Sequence, residues 1–249
     1  MYEASYNDNI YAVILDEMNI ARVEYYFAEM LSILEMPSRD EWVVDIIPNS
    51  WPSDPKHIVN GQLRIPPNMW YIGTANNDDS TFAITDKVYD RAMPINIDTK
   101  GVPFDAPLTD PVYISYKHFE YILNAAKVQF VVSEENIKKI TLLDDYVIEH
   151  FRIAFGNRIV KQLRDFVPAY VGTGGTELDG LDYVLARKVF RKFESLNLSY
   201  IRDEIDGLCA YIDELFGEEN MNESKDYLRM LKKLSLIHIS EPTRLDVIS

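Results

Sequence analysis

The first clear pattern along the chain is a short apolar run that ends in two acids. Residues 11–15 read Tyr-Ala-Val-Ile-Leu, and Asp16 and Glu17 follow directly. An unbroken apolar run of this length is typical of a strand buried on both faces of a parallel α/β sheet. Ligands bind at the carboxyl edge of such sheets, so the acid pair is a candidate site. The alternative is a strand followed by a helix whose dipole favours acids in its first turn.

The next stretch predicts one helix and then a small β-structure. Apolar residues recur at helical spacing from residue 20 to residue 34, so we expect a helix that ends near Met36 and Pro37. Short strands joined by a polar loop are predicted at 42–47 and 61–66. A surface hairpin is the simpler interpretation, and a pore-facing insertion in a nucleotide motor is the other.

A second buried strand is predicted at residues 69–74, and a polar cluster follows it from Asn76 to Ser80. Two apolar strands that both end in acids or amides favour one shared polar edge. A neutral amide at such an edge can hydrogen-bond a phosphate oxygen and a water molecule without adding charge. The alternative is a turn or N-cap cluster, because these residue types favour both. Residues 84–93 then predict a short helix that ends in Asp90 and Arg91, and a lone arginine is commonly a surface ion pair.

From residue 110 onward the pattern predicts an α-helical half. The expected helices cover residues 116–128, 134–155, 157–167, 177–196 and 201–216. The 177–196 helix carries an apolar stripe, and four cations lie between its members, namely Arg187, Lys188, Arg191 and Lys192. These cations favour a solvated helix face over a DNA-binding surface.

Composition narrows the classes of function. The net charge of −15 disfavours a generic binder of nucleic-acid backbones. The single cysteine, Cys209, excludes an internal disulfide, fits a reducing cytoplasm and reads as a small buried residue. The four histidines show no paired spacing of a zinc site. There is no apolar run of membrane-spanning length and no signal-peptide pattern, so we expect a cytoplasmic protein.

Three ordered motifs now carry a family resemblance. They read LDEMN, then ARVEYYFAEMLSILE, then IPPNMWYIGTANNDDSTFAITDKVYDRAMPI. In this order they resemble the AAA+ ATPases of the McrB-like and dynein-related type, over roughly residues 11–234. MoxR-type chaperones are more distant relatives. Each motif is weak alone, and the order gives the resemblance its specificity.

The resemblance implies a role for five residues. Asp16 and Glu17 match a Walker B pair, in which the first acid binds Mg²⁺ and the second orients the attacking water. Asn76 matches sensor 1, and Arg91 matches an arginine finger that reaches the nucleotide of a neighbouring subunit. Arg158, near the start of a lid helix, matches a nucleotide-contacting sensor 2 arginine. A trans-acting arginine would make activity a property of a homo-oligomeric ring.

The expected fold class is α/β: a partial P-loop core with a parallel sheet at residues 1–112, followed by an α-helical lid at 113–234. Residues 235–249 resemble a translated sequencing-adapter tail and are set aside. The sequence contains no G-x-x-x-x-G-K-[ST] motif, so the phosphate-binding loop is missing and we expect an internal fragment of a longer protein. Losing the elements around that loop would expose apolar sheet surface and lower solubility.

The function expected of the parent protein is Mg²⁺-dependent hydrolysis of ATP or GTP by a ring motor of a restriction or defence system. A nuclease subunit is an expected partner, and DNA would be reached only through other domains or partners. Two alternatives stay open. One is a non-catalytic AAA+-like scaffold, which the missing loop favours, and the other is a MoxR-like chaperone ATPase.

Overall fold

The computed structural model describes residues 1–76, 78, 80–97, 100–196 and 198–240. Asn77 and Asp79 of the expected sensor region lie outside the described residues, and so do residues 241–249 of the expected tail. The chain divides into two compact units, Met1–Ile122 and Leu123–Ser249. The boundary expected from the sequence was at residues 112 and 113.

The first unit is mixed α/β. Its strands are β1 (Tyr11–Leu15), β2 (Val43–Asp45), β3 (Ile58–Val59), β4 (Gln62–Arg64) and β5 (Met69–Gly73). Its helices are α1 (Val23–Tyr26), α2 (Ala28–Ile33) and α3 (Asp86–Tyr89), and α4 (Tyr116–Gln129) crosses the boundary between the units. β1 and β5 pair in parallel, whereas β2, β4 and β3 form an antiparallel sheet in that order. The small hairpin sheet expected between residues 42 and 66 is therefore present.

Within the described residues, the parallel sheet is covered on one face and only partly covered on the other. Phe27 packs against Tyr71 with ring centroids 5.8 Å apart, next to a core formed by Val23, Leu31 and Val88. On the opposite face Trp70 contacts Phe119, but the register pair Ile14 and Ile72 stays 65% and 49% exposed. The expectation that β1 is buried on both faces was wrong, because no described element covers this end of the second face.

The helix expected at residues 20–36 is also broken into shorter pieces. A 3₁₀ turn covers Met18–Ile20, and α1 and α2 are separated at Phe27, whose φ of −110° and ψ of 15° are not helical. Val23 and Leu31 are buried as the apolar stripe predicts, whereas Ile20 is exposed. The stripe thus identifies the buried face but not the continuity of the helix.

Asn68 ties the start of the chain to the start of β5. Its side-chain amide donates to the carbonyl oxygens of Ala4, Asn7 and Asn9 over 2.7–3.1 Å. The side chain is buried, and its Oδ1 has no partner among the described residues. This contact fixes the segment that leads into β1.

The second unit is a helical bundle. It contains α5 (Glu134–Phe151), α6 (Gly156–Gly172), α7 (Glu177–Val184), α8 (Leu198–Phe216) and α9 (Asn222–Ser240). After α7 the chain continues as a π-helical turn at Leu185–Val189 and a 3₁₀ helix at Phe190–Ser195. Residues 177–196, which were expected to form a single helix, therefore adopt three local conformations. The helix expected at 134–155 ends at Phe151. Most of the buried apolar side chains of the described residues lie in this unit.

Three further expectations about this unit can be compared with the structure. Cys209 is buried and free, as predicted. The four cations were expected on a solvated face, and this expectation is wrong for Lys188, which is buried. Arg187 is only partly exposed, and its guanidinium carbon lies 3.6 Å from the centroid of the Tyr183 ring. α9 continues to Ser240, so the backbone stays helical into the first residues of the expected tail.

Within the described part of the chain, no helix combines the length and the apolar character that a membrane crossing requires.

Candidate functional site

The site begins with the register of the two parallel strands. Leu15 aligns with Gly73, so both strands end at the same level of the sheet. Asp16 and Glu17 follow β1 at this edge, and Thr74 and Asn76 follow β5. The shared polar edge expected from the sequence is therefore present.

Thr74 joins the two strand ends. Its hydroxyl donates to Asp16 Oδ1 at 2.6 Å and accepts from the Glu17 amide at 2.8 Å. Its backbone N–H donates to the Leu15 carbonyl at 3.0 Å, and its own carbonyl accepts from the Met18 amide at 2.8 Å. Four hydrogen bonds thus hold the acidic turn in place, and one oxygen of Asp16 is already engaged. Sequence reasoning missed this residue.

Glu17 has an unusual backbone. Its φ of 47° and ψ of 46° lie in the left-handed region, which costs a non-glycine residue on the order of 1 kcal/mol. Strained conformations of this kind persist where surrounding contacts impose them, and they cluster at functional sites. Here the contacts are the bonds from Thr74 on either side. Both acids are exposed, so a ligand can reach them.

Asn19 is the second residue that sequence reasoning missed. The side chain is buried, and its amide donates to the carbonyls of Asn76 at 2.7 Å and Phe82 at 3.1 Å. Its Oδ1 accepts from the Asn76 amide at 3.3 Å. The turn after β1 therefore holds both ends of the loop that follows β5. An asparagine two residues after an acid pair is the only signal in the sequence that could have found it.

Asn76 itself lies at the centre of this edge. Its backbone is held by Asn19 and by the Thr81 hydroxyl, while its side chain is exposed and bonds to none of the described residues. Asp78, two residues on, accepts from the amide and hydroxyl of Ser80. The Ser80 hydroxyl and amide hold the pKa of Asp78 below its usual value. Asp78 therefore acts as a turn residue, which was the alternative interpretation of the polar cluster. The side-chain amide of Asn76 is available to a ligand.

Arg91 contacts none of the residues at this edge and bonds instead to α2, α3 and the residues that follow α2. Its Nε donates to the Leu31 carbonyl at 2.7 Å, and its terminal nitrogens bond to the Lys87 carbonyl and to Glu35. Only 11% of the side chain is exposed. In this structure the guanidinium connects the end of α3 to α2 within the chain. A role in a neighbouring subunit stays a prediction.

Arg158 belongs to the second unit, in the first turn of α6, which begins at Gly156. The residue is exposed, and it interacts with another residue of the chain. The helix start expected from the sequence is confirmed. The nucleotide contact implied by the resemblance stays a prediction.

The donor set at the strand edge can be compared with the needs of Mg²⁺. Among the described residues there is no group of three or more His, Cys, Asp or Glu side chains that could hold a metal ion. Mg²⁺ keeps several waters and is commonly bound by one or two carboxylates together with substrate phosphates. An exposed Asp16 with one oxygen already hydrogen-bonded fits that shared mode of binding and does not fit a closed protein cage.

Comparison with known proteins gives no relative: no family model, no curated protein and no solved structure matches this chain.

Proposed function

We propose that this chain carries the hydrolytic edge of a Mg²⁺-dependent ATP- or GTP-hydrolysing AAA+-type motor. The observation that carries the proposal is the parallel register of β1 and β5, which brings Asp16, Glu17 and Asn76 to one exposed edge. The phosphate-binding loop would come from a segment outside this sequence. The motor would act as a ring, in a restriction or defence system with a nuclease partner.

The proposed roles follow from the chemistry of each side chain. Asp16 would bind Mg²⁺, which neutralises charge on the phosphates. Glu17 would orient the attacking water, since its carboxylate is exposed and its backbone is fixed by Thr74. The Asn76 amide would hydrogen-bond the terminal phosphate or that water without adding charge. Thr74 and Asn19 would position these groups and touch neither nucleotide nor metal.

The test is phosphate release from ATP and GTP by the product of the complete reading frame that contains this chain. Loss of a positioned general base lowers turnover by roughly 100-fold to 10,000-fold. Glu17→Gln should therefore nearly abolish turnover while binding of a fluorescent nucleotide analogue persists. Glu29→Gln, on the exposed side of α2, is the matched control and should leave both unchanged. Wild-type turnover in the Glu17 variant would refute the assignment.

A second candidate is a non-catalytic scaffold with an AAA+-like fold. The contacts of Arg91 favour it, because the guanidinium is used inside the chain by Leu31 and Glu35. The absent G-x-x-x-x-G-K-[ST] motif points the same way. Under this hypothesis the complete gene product binds no nucleotide, whereas the motor hypothesis requires binding even in the Glu17→Gln variant.

A further inference from the structure

Arg22 is an exposed arginine that forms no ion pair with any of the described residues. Its Nη1 donates to the Tyr25 hydroxyl at 3.3 Å, and its guanidinium carbon lies 5.6 Å from the centroid of the Tyr25 ring and 5.4 Å from that of Phe82. The chain carries 40 acidic residues and 25 basic ones, so the missing ion pair does not reflect a shortage of acids. Even Glu24, two positions further on, leaves its buried Oε2 without a partner among the described residues.

The two aromatic rings hold this guanidinium in place without burying it. Tyr25 is 71% exposed and Phe82 is 44% exposed. A cation is attracted to the electron-rich face of an aromatic ring. An arginine has five N–H donors, and the bond to the Tyr25 hydroxyl uses only one of them. The other donors have no acceptor among the described residues, so the guanidinium is positioned and still able to bind an anion.

This arginine lies beside the acidic edge of the parallel sheet. Phe82 donates its backbone N–H to the Asn19 carbonyl at 2.9 Å, and its own carbonyl accepts from the Asn19 side chain at 3.1 Å. The same Asn19 side chain holds the backbone of Asn76. One buried residue therefore fixes both the ring beside Arg22 and the amide at the centre of the edge. Along the chain, Arg22 follows Glu17 by five positions.

A positioned guanidinium next to two exposed acids suits a phosphate chain better than a carboxylate ligand. Arginine donates two parallel N–H bonds to either group. A carboxylate ligand would be repelled by Asp16 and Glu17, whereas a phosphate chain arrives with Mg²⁺, which acids attract. Arg91, the arginine expected to meet the phosphates, is used inside the chain by Leu31 and Glu35. The charge that the phosphates need is therefore available from the arginine beside the edge.

We propose that Arg22 binds the terminal phosphate of the nucleotide that Asp16 of the same chain meets through Mg²⁺. This inference rests on the proposed function, because hydrolysis is the reaction that needs the charge. Hydrolysis places negative charge on the oxygens of the terminal phosphate, and a guanidinium fixed there beforehand stabilises it. Tyr25 and Phe82 are positioning residues, which act on the phosphate only through Arg22.

The arginine side-chain resonances of the 249-residue chain test the contact directly. In nitrogen-15 spectra, the Nε–H signal that is lost in Arg22→Ala identifies this residue. Magnesium tripolyphosphate, a phosphate chain without base or sugar, should shift that signal. It should leave unchanged the signal of Arg64, an exposed arginine that pairs with Asp40. A short oligothymidylate should shift neither signal, which separates a nucleotide from a nucleic-acid backbone as the source of the phosphate.

Turnover by the product of the complete reading frame tests what the contact does. Removing one preorganised donor to a developing charge lowers turnover by about 100-fold to 1,000-fold. We expect that loss in Arg22→Ala, with binding of the nucleoside diphosphate unchanged. Arg22→Lys keeps the charge but not the planar pair of donors, so its turnover should fall between the two. Arg64→Ala is the matched control and should turn over as wild type. Both arginines are exposed, so circular dichroism should stay unchanged.

Three results would each overturn the proposal. They are an Arg22 signal that tripolyphosphate does not move, an oligothymidylate that moves it equally, and wild-type turnover in Arg22→Ala. In the last case a loss of turnover in Glu17→Gln would leave the proposed function standing. A wild-type product without any turnover would instead refute the proposed function, and the Arg22 signal would still decide whether the phosphate site exists.

Discussion

Thr74 illustrates how a single hydroxyl can organise the edge of a sheet. It bonds to the carboxylate of Asp16 and to the amide of Glu17, and these bonds hold a turn with a left-handed residue. Its residue type does not predict this role, because threonine is common in strands. The acid pair and Asn76 could be selected from the sequence because they end apolar runs. Thr74 and Asn19 act through geometry that appears only when the strands are in register.

Replacing Thr74 by valine should loosen this turn. Valine keeps the shape but removes both hydroxyl bonds, which together contribute about 1 kcal/mol to the free energy of unfolding. We expect faster hydrogen exchange at the Glu17 amide and a lower midpoint of urea unfolding followed by tryptophan fluorescence. Thr74→Ser keeps the hydroxyl and should behave as wild type. Unchanged exchange at Glu17 in the valine variant would show that the backbone bonds alone hold the turn.

At the scale of elements, Asp182 links two helices through one buried carboxylate. It lies on α7 and accepts from the amides of Glu223 and Ser224, both at 2.8 Å, in the first turn of α9. The first amides of a helix have no partner inside it, so Asp182 caps α9 from another helix. Burial raises the pKa of the Asp182 carboxyl, although the bonds from Ser224 and Glu223 oppose that shift.

The raised pKa predicts the direction of a pH dependence. Because the folded state holds the proton more tightly than the unfolded chain, this group's contribution to stability is complete below about pH 4 and is lost as the pH rises through the raised pKa. Asp182→Asn removes the titration. The free energy of unfolding of wild type relative to this variant should therefore fall as the pH rises, measured by urea unfolding and far-ultraviolet circular dichroism. Asp145→Asn, on the exposed side of α5, serves as control, and a difference that is flat with pH would contradict the prediction.

The position of a helix could be predicted from the sequence where a single apolar stripe defines it. The helices after residue 115 follow long stripes, and α4 and α8 lie close to their expected positions. The helix expected at 177–196 is α-helical only as far as Val184, and the one expected at 134–155 ends at Phe151. The helix expected at 20–36 is broken at Phe27, where the backbone leaves the helical region and the side chain packs against Tyr71 on the sheet. The cations at 187 and 188 were placed on a solvated face because periodicity alone does not show that α9 packs over that stretch.

At the scale of the whole molecule, the two units differ in the size of their apolar cores. The first unit has few buried apolar side chains and an open sheet face, whereas the second has fully buried layers around Leu163, Phe190 and Leu208. Buried apolar area is the main source of stability, at about 25 cal/mol per Å². We therefore expect the first unit to be the less stable of the two.

This difference predicts two separate unfolding transitions. All three tryptophans, Trp42, Trp51 and Trp70, lie in the first unit, and most of the helical residues lie in the second. Tryptophan fluorescence should therefore report a midpoint at lower urea concentration than far-ultraviolet circular dichroism. Leu163→Ala should move only the second transition, with a loss of about 2–5 kcal/mol. Coincident midpoints for both signals would show that the chain unfolds as one cooperative unit.

The π-helical turn at Leu185–Val189 gives this part of the chain an unusual tolerance of length. A π turn closes i→i+5 bonds and so holds one residue more than an α-helical turn. Deleting one residue there would restore an α-helical turn and keep the residues on either side close to their present phase. Phe190 and Phe193, both fully buried, would then stay directed into the core. The same deletion within α8, an α-helix from Leu198 to Phe216, would turn the residues that follow by about 100°. Loss of one residue should therefore be tolerated in the π turn and not in α8.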